Sequence, residues 1–320
     1  MESTLWKQTL LAAGLLTAGL TAQTAPLQRG DVAAEPAWLV HVDCDRLRPT
    51  VVGQYLLAEL DKPEAQARLG AFQAIFNLDP RKQLHGLTLY SASEDAADGV
   101  ALVYADTDPE RLVTLAKGAT DYQSTKHKDH VIHNWIDDKR TGHDGDGART
   151  YAAIHSAHLV VFGQHKAPVA AALDVLDRTA PNLSTGKAFP QMGASGNTSF
   201  LQAAARKLDI PSSEPNAALL RLSKVAHLQI GEAQKQVTAT LSVEANDEEV
   251  AKQMASVGQG LVGLLKLQQE KPQSVKLAEA ISLKQDGAGV VATLAMPADD
   301  VVELMKAGAP KKAEKRAEKD

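Results

Sequence analysis

The chain has 320 residues, of which 44% are hydrophobic and 23% charged, and its formal net charge is −5. This balance is typical of a globular protein with one large domain or two smaller ones. It disfavours a nucleic-acid-binding protein, which would need a strongly basic face. With Cys44 as the single cysteine, an internal disulfide is excluded and the core must supply the stability.

The N-terminus has the pattern of a secretory signal peptide. Lys7 precedes the apolar run LLAAGLLTAGL, and small residues follow as far as Ala25. This order predicts export with cleavage after Ala22 or Ala25, and the run is shorter than the roughly 20 apolar residues of a membrane span. We therefore expect residues 1–25 to be a signal peptide. The mature chain would be periplasmic or extracellular, and its partner a protein or ligand outside the cytoplasm.

Cys44 follows the apolar run WLVHVD, which is typical of a strand. The cysteine is predicted to be a small, half-buried residue at the end of this strand. A catalytic thiol would need an electropositive setting, whereas the flanking Asp43 and Asp45 would raise its pKa.

A strand-to-helix junction recurs along the chain. LVYADTDPERLVTLA at 102–116 and LSVEANDEEVAKQMA at 241–255 both contain a strand, an alanine, a polar cap and an acidic first helical turn. The likeness indicates two similar halves, at residues 35–180 and 199–307. The alternative is that capping alone produces it, since every such junction needs a cap.

Between the halves, residues 181–198 are rich in Pro, Gly, Ser and Thr and are predicted to be a linker. Residues 308–320 are mostly charged, with alanine between the charges, and predict a disordered tail. Ser199 with Gln202 three residues later is the spacing of a capping box, so a helix is expected at 199–208.

The predicted fold class is α+β, with mostly antiparallel sheets and helices packed on one face. Two strands within 85–105 are joined by the loop SEDAADG, which predicts a hairpin. The order of elements in the first half is close to the β-α-β-β-α-β order of ferredoxin-like folds, with an inserted hairpin.

Seven of the ten histidines lie within residues 127–165. VIHNWID and TYAAIHS flank the turn-like TGHDGDGA, which predicts a β-hairpin. If Asp137 pairs with Arg149 across the strands, one face carries an aromatic row and a histidine corner. The candidate binding face is the row Trp135, Tyr151 and Phe162. The candidate metal ligands are the corner His133, His155 and His158.

Three neutral imidazoles at cross-strand distances suit zinc or copper. The alternative is a solvated sheet face with its histidines bonded to backbone, because the chain has no HExxH or Cys-x-x-Cys motif. The prediction depends on register, since a slip of one residue sends neighbouring side chains to opposite faces.

PAWLVHVDCDRL, GVALVYADTDPERLVTLA and QVTATLSVEANDEEVAKQMA follow the signal peptide in that order. Together they resemble exported bacterial proteins of unknown function with a strand-helix-hairpin plan. The resemblance covers most of the mature chain and implies export and a two-part α+β fold. It implies no catalytic residues.

Recognised catalytic motifs are missing from the sequence: GASGN at Gly193 is not G-x-S-x-G, and a P-loop is absent. The sequence therefore predicts an exported, non-catalytic binding or structural protein of unknown partner. The alternative is a protein that binds zinc or copper through the histidine corner. A hydrolase with a site between the halves has no motif to support it.

Overall fold

The computed structural model describes residues 25–141, 147–194, 198–206, 221–268 and 272–308, without the side chains of 138–141, 147 and 308. The predicted signal peptide, except Ala25, and nearly all of the predicted tail lie outside these residues.

The described strands form a single 12-stranded sheet in the order β11-β12-β10-β9-β8-β1-β2-β3-β7-β6-β5-β4. The strands are β1 (Trp38–Asp43), β2 (Leu84–Ser91), β3 (Val100–Ala105), β4 (Gln123–His127), β5 (His130–Thr141), β6 (Gly147–Ser156), β7 (Leu159–Gly163), β8 (Ser199–Arg206), β9 (Ser223–Ala233), β10 (Gln236–Ala245), β11 (Ile281–Asp286) and β12 (Gly289–Pro297). All of these neighbours run antiparallel. The predicted α+β class with antiparallel sheets is confirmed. A ferredoxin-like crossover would place two parallel strands side by side, and the described strands contain no such pair.

Helices connect these strands and begin where the sequence places caps. They are α1 (Cys44–Leu47), α2 (Val51–Leu60), α3 (Pro63–Phe76), α4 (Pro80–Gln83), α5 (Pro109–Lys117), α6 (Lys166–Leu176), α7 (Glu248–Leu267), α8 (Pro272–Ala280) and α9 (Ala298–Gly308). The Asp108 carboxylate caps α5 and the Asp247 carboxylate caps α7, each accepting a backbone N–H three residues later. Among the described helices, none has both the length and the apolar content needed to cross a membrane.

The two halves repeat one order of elements. The first contains β1-β2-β3-β7-β6 as neighbours, and the second contains β8-β9-β10-β12-β11. The two strand-to-helix junctions with similar sequences lie at equivalent places in the halves, since α5 follows β3 and α7 follows β10. β1 pairs with β8, so both halves share one sheet. The similarity of the halves is confirmed, and their exact boundaries stay a prediction.

The helix expected at 199–208 is wrong, because Ser199–Arg206 is strand β8. This strand fills the place between β1 and β9, where it pairs on both sides. Its alanines favour a helix in isolation, but the tertiary pairing outweighs that weak preference.

The main core lies under α6. Leu102, Ile132 and Val161 point to one face of the sheet and are fully buried, and α6 covers them with Val169 and Leu173. We call this the α6 face. The apolar residues of α6 recur at three- and four-residue spacing, which places them on one side of the helix.

Helices of the second half cover the opposite face. Ala251 and Ala255 of α7 pack against Val290 of β12, and Ala298 of α9 packs near Val52 of α2. The expected packing on one face therefore holds for α2, α7 and α9, whereas α6 lies on the other face.

The predicted linker is packed against the α6 face. Leu183 and Met192 are fully buried, and Phe189 is nearly so. The Arg29 guanidinium donates hydrogen bonds to the carbonyls of all three residues. The segment connects the halves, but its described part belongs to the core.

Cys44 is half-buried at the end of β1, as predicted. Burial raises the pKa of the thiol to about 11, and Arg48 opposes this effect while Asp45 and Asp43 add to it. The thiol is therefore protonated at neutral pH and is a poor nucleophile.

Glu232 of β9 joins the two halves by capping α2. Its carboxylate accepts hydrogen bonds from the backbone N–H groups of Val51 at 2.8 Å and Val52 at 3.1 Å. An anion at a helix N-terminus also interacts favourably with the helix dipole. We expect Glu232→Ala to lower the free energy of unfolding by about 1 kcal/mol in urea denaturation. Glu244→Ala, an exposed acid on β10, is the control and should change it by less than about 0.5 kcal/mol.

Candidate metal centre

The register of β5 and β6 differs from the predicted one by one residue. Ile136, not Asp137, lies opposite Arg149. The Arg149 guanidinium donates to the carboxylate of Asp121 and to the side-chain oxygen of Asn134. The predicted ion pair is therefore wrong, because Arg149 finds its acid just before β4 and not across the β5–β6 ladder.

This shift separates the three predicted histidine ligands. His133 lies on the face opposite α6, where its Nδ1 is 2.9 Å from the Tyr122 hydroxyl. His155 lies on the α6 face. His158 lies in the turn after β6, with 76% of its side chain exposed, and its Nδ1 is 2.9 Å from Asp106 Oδ1. The structure does not bring these residues together, so they do not form the predicted corner.

The predicted aromatic row is also divided. Trp135 and Phe162 share the face of His133, because Ala152 lies opposite both His133 and Phe162. Tyr151 lies opposite Asn134, on the α6 face, and packs against the main core. A continuous three-ring surface is therefore absent at these positions, for the same reason of register.

A different set of residues converges on the α6 face: His130 at the start of β5, His155 near the end of β6, and Asp177 just after α6. His130 Nε2 lies 2.9 Å from Asp177 Oδ2, and His155 Nε2 lies 3.3 Å from Asp177 Oδ1. One ligand atom from each residue lies within 4.8 Å of the other two. The two imidazole rings stack with their centroids 5.3 Å apart. We call these three residues the His–Asp centre.

Local structure places each member of the centre. Lys128 adopts a left-handed backbone conformation with φ of 52°, and the tight turn brings His130 opposite His127. The buried side chains of α6 fix the helix on the sheet, so that its end points at β5 and β6. The Arg178 guanidinium then bonds to the Asp31 carboxylate at 2.9 Å, which holds the chain just after Asp177.

A second histidine–carboxylate pair flanks the centre. His127 Nε2 lies 2.8 Å from Asp174 Oδ1, and Lys128 Nζ lies 2.7 Å from the same oxygen. Asp174 is about one helical turn before Asp177 on α6. Hydrogen bonds from Lys128 and His127 hold the pKa of Asp174 below its ordinary value.

The carboxylate of the centre is ionised at neutral pH. Partial burial acts to raise the pKa of Asp177, but hydrogen bonds from His130 and His155 outweigh it and lower the pKa. An anionic oxygen and two imidazole nitrogens form a donor set suited to zinc or copper(II). All three side chains are half-buried, so a bound ion would keep a coordination position open to solvent.

Sequence reasoning identified His155 but missed His130 and Asp177. The sequence shows that His127 and His130 are three residues apart, but it does not show that a tight turn lies between them. Asp177 had no signal in the sequence, because its place depends on how α6 packs across the sheet.

No known protein family matches this chain, and no curated protein matches it. Distant likenesses to solved structures were found. Crystal form III of TP0453 has a TM-score of 0.47 and 10% sequence identity, and the match covers 88% of this chain and 99% of that chain. Crystal form I has a TM-score of 0.46 and 8% identity over 88% and 98% of the two chains. No functional statement about this chain follows from likenesses at this level.

Proposed function

We propose that this chain is an exported, non-catalytic protein that binds zinc or copper at the His–Asp centre. The observation that carries the proposal is the convergence of His130, His155 and Asp177, whose ligand atoms all lie within 4.8 Å of one another. In zinc sites the nitrogen and oxygen ligands lie about 2.0–2.2 Å from the ion, so three such atoms could hold it after small movements.

Export rests on the signal-peptide pattern. The Ala25 carbonyl lies 3.0 Å from Nε2 of the buried His41, which supports a mature chain that retains Ala25. Cleavage after Ala22 meets this condition. Mass spectrometry of protein purified from the periplasm or medium should therefore give a chain that begins at Gln23, and a full-length cytoplasmic chain would contradict export.

Metal binding is tested on the mature chain, purified without chelator. We expect about one zinc or copper ion per chain by elemental mass spectrometry, and saturable binding of zinc in calorimetric titration after the metal is removed. Outer-shell partners of zinc ligands are worth about 10–100-fold in affinity. His155→Ala removes a direct ligand and Asp177→Asn removes the negative charge of another, so each should weaken binding about 100-fold.

His158→Ala is the matched control, because this histidine also bonds to a carboxylate but lies in an exposed turn away from the centre. Its zinc affinity should equal that of the wild type. If the wild type carries no metal and takes up neither ion, the three residues are an ion-paired cluster that ties α6 to the sheet. Equal losses in His158→Ala and His155→Ala would also contradict the assignment.

A further inference from the structure

A cleft of about 620 Å³ lies between α6 and the end of β2, next to the start of β3. Its walls are mostly small and apolar, and on α6 they include Ala167, Pro168, Ala171 and Val175. The volume falls in the range of about 300–1,000 Å³ that is common for small-molecule sites. The space exists because alanines face it, where longer side chains would fill it.

The cleft and the His–Asp centre lie on different sides of α6. The cleft is bounded by Tyr90 and Ser91 of β2 and by Val100 of β3. The His–Asp centre lies above β5 and β6, beyond β7 in the sheet order. A ligand in the cleft would therefore not touch His130 or His155.

The charge of the cleft is negative. Two charged residues, Asp98 and Asp174, contribute to its wall, and the described lining contains no basic residue. Asp98 accepts hydrogen bonds from His165 Nδ1 at 2.9 Å and Ser93 Oγ at 2.8 Å, which lower the pKa of its carboxyl. Asp174 is paired with Lys128 and His127 on the other side of the helix. Asp174 forms an ion pair with Lys128, whereas the described partners of Asp98 include no lysine or arginine, so Asp98 is the carboxylate better placed to meet a cation in the cleft.

We propose that this cleft binds a small organic ammonium ion with an aliphatic chain. The chain would lie along the alanines of α6, and the ammonium group would lie beside Asp98. An aliphatic chain would pack against the apolar walls, whereas a carboxylate-bearing ligand of the same size would be repelled by both acids. This site is independent of the proposed metal binding.

Calorimetric titration of the mature chain with n-alkylammonium ions tests the proposal. Each buried methylene contributes about 0.8 kcal/mol, so affinity should rise about fourfold per carbon from butyl- to hexylammonium. Hexanoate, which has a similar chain and the opposite charge, should not bind. An absence of saturable hexylammonium binding at millimolar concentrations would overturn the proposal, as would equal binding of hexanoate.

Variants locate the site. Ala171 is exposed on α6, so Ala171→Phe should fill the cleft without disturbing the core and abolish binding. Asp98→Asn should weaken hexylammonium about fivefold, the effect of a partly exposed ion pair. The controls are Ala67→Phe on α3 and Glu94→Gln, which are exposed and lie outside the cleft, and both should bind as the wild type does.

His155→Ala should also retain hexylammonium affinity, which separates this site from the metal site. If Ala171→Phe fails to fold, as judged by its thermal unfolding, Ala167→Phe at the second exposed alanine replaces it. Wild-type affinity in a folded cleft-filling variant would place the ligand elsewhere and contradict the proposal.

Discussion

Replacing Arg29 with methionine is expected to lower the free energy of unfolding by about 4 kcal/mol. Its guanidinium donates to the carbonyls of Phe189 at 2.7 Å, Met192 at 2.8 Å and Leu183 at 2.8 Å. A hydrogen bond to a charged group contributes about 1.5–3 kcal/mol, and bonds that share one side chain are not additive. Methionine keeps much of the apolar stem but leaves these carbonyls without their donor.

Urea denaturation with matched variants measures this effect. Arg29→Lys should give an intermediate loss, because an ammonium group lacks the planar fork that spans several carbonyls. Arg68→Met, at an exposed position on α3, should change stability by less than about 0.5 kcal/mol. A loss below about 1 kcal/mol for Arg29→Met would show that the carbonyls are satisfied by water, and that Arg29 does not hold the segment on the core.

Acid is expected to destabilise the protein through His41. The imidazole is buried on β1, with Nε2 donating to the Ala25 carbonyl and Nδ1 accepting from the Thr88 hydroxyl at 2.9 Å. Burial lowers the pKa of His41 to about 4, with Ala25 opposing the shift and Arg46 adding to it. The ordinary pKa of histidine is about 6.5, so the unfolded chain takes up a proton before the folded chain does.

The direction in which stability changes with pH follows from this difference between the pKa values of the folded and unfolded chain. The stabilisation by neutral His41 is complete above pH 6.5 and is lost as the pH falls towards 4. A difference of about 2.5 pH units corresponds to about 3 kcal/mol between pH 7.5 and 4. His41→Gln has no titrating group at this position. Between pH 7.5 and 4, its free energy of unfolding should fall by about 3 kcal/mol less than that of the wild type.

Other histidines titrate as well, so the comparison with His41→Gln isolates one group. Burial also lowers the pKa of His133 and His227, which adds to acid destabilisation. The contribution of His85 to the pH dependence of stability has the opposite sign. Burial acts to lower the pKa of His85, but hydrogen bonds to Asp106 and Asp45 outweigh this effect and raise the pKa. An unchanged pH dependence in His41→Gln would contradict the assignment.

The sequence by itself determined the elements whose signals are local. The cap at Asp108 marks the start of α5, and the loop after Ser91 marks a hairpin. Local signals of this kind need no distant partner, since a side chain caps a helix within its own first turn. The α+β class and the two similar halves followed from the same signals.

The tertiary structure alone decided the register, strand β8 and the His–Asp centre. Arg149 could pair with Asp137 or with Asp121, and the choice of Asp121 moved His133 and His155 to opposite faces. Ser199–Arg206 became a strand because β1 and β9 provide partners on both sides. Asp177 reaches His130 and His155 only because the packing of α6 across the sheet brings its end to them. Contacts between residues far apart in the chain depend on packing, and local sequence patterns do not encode them.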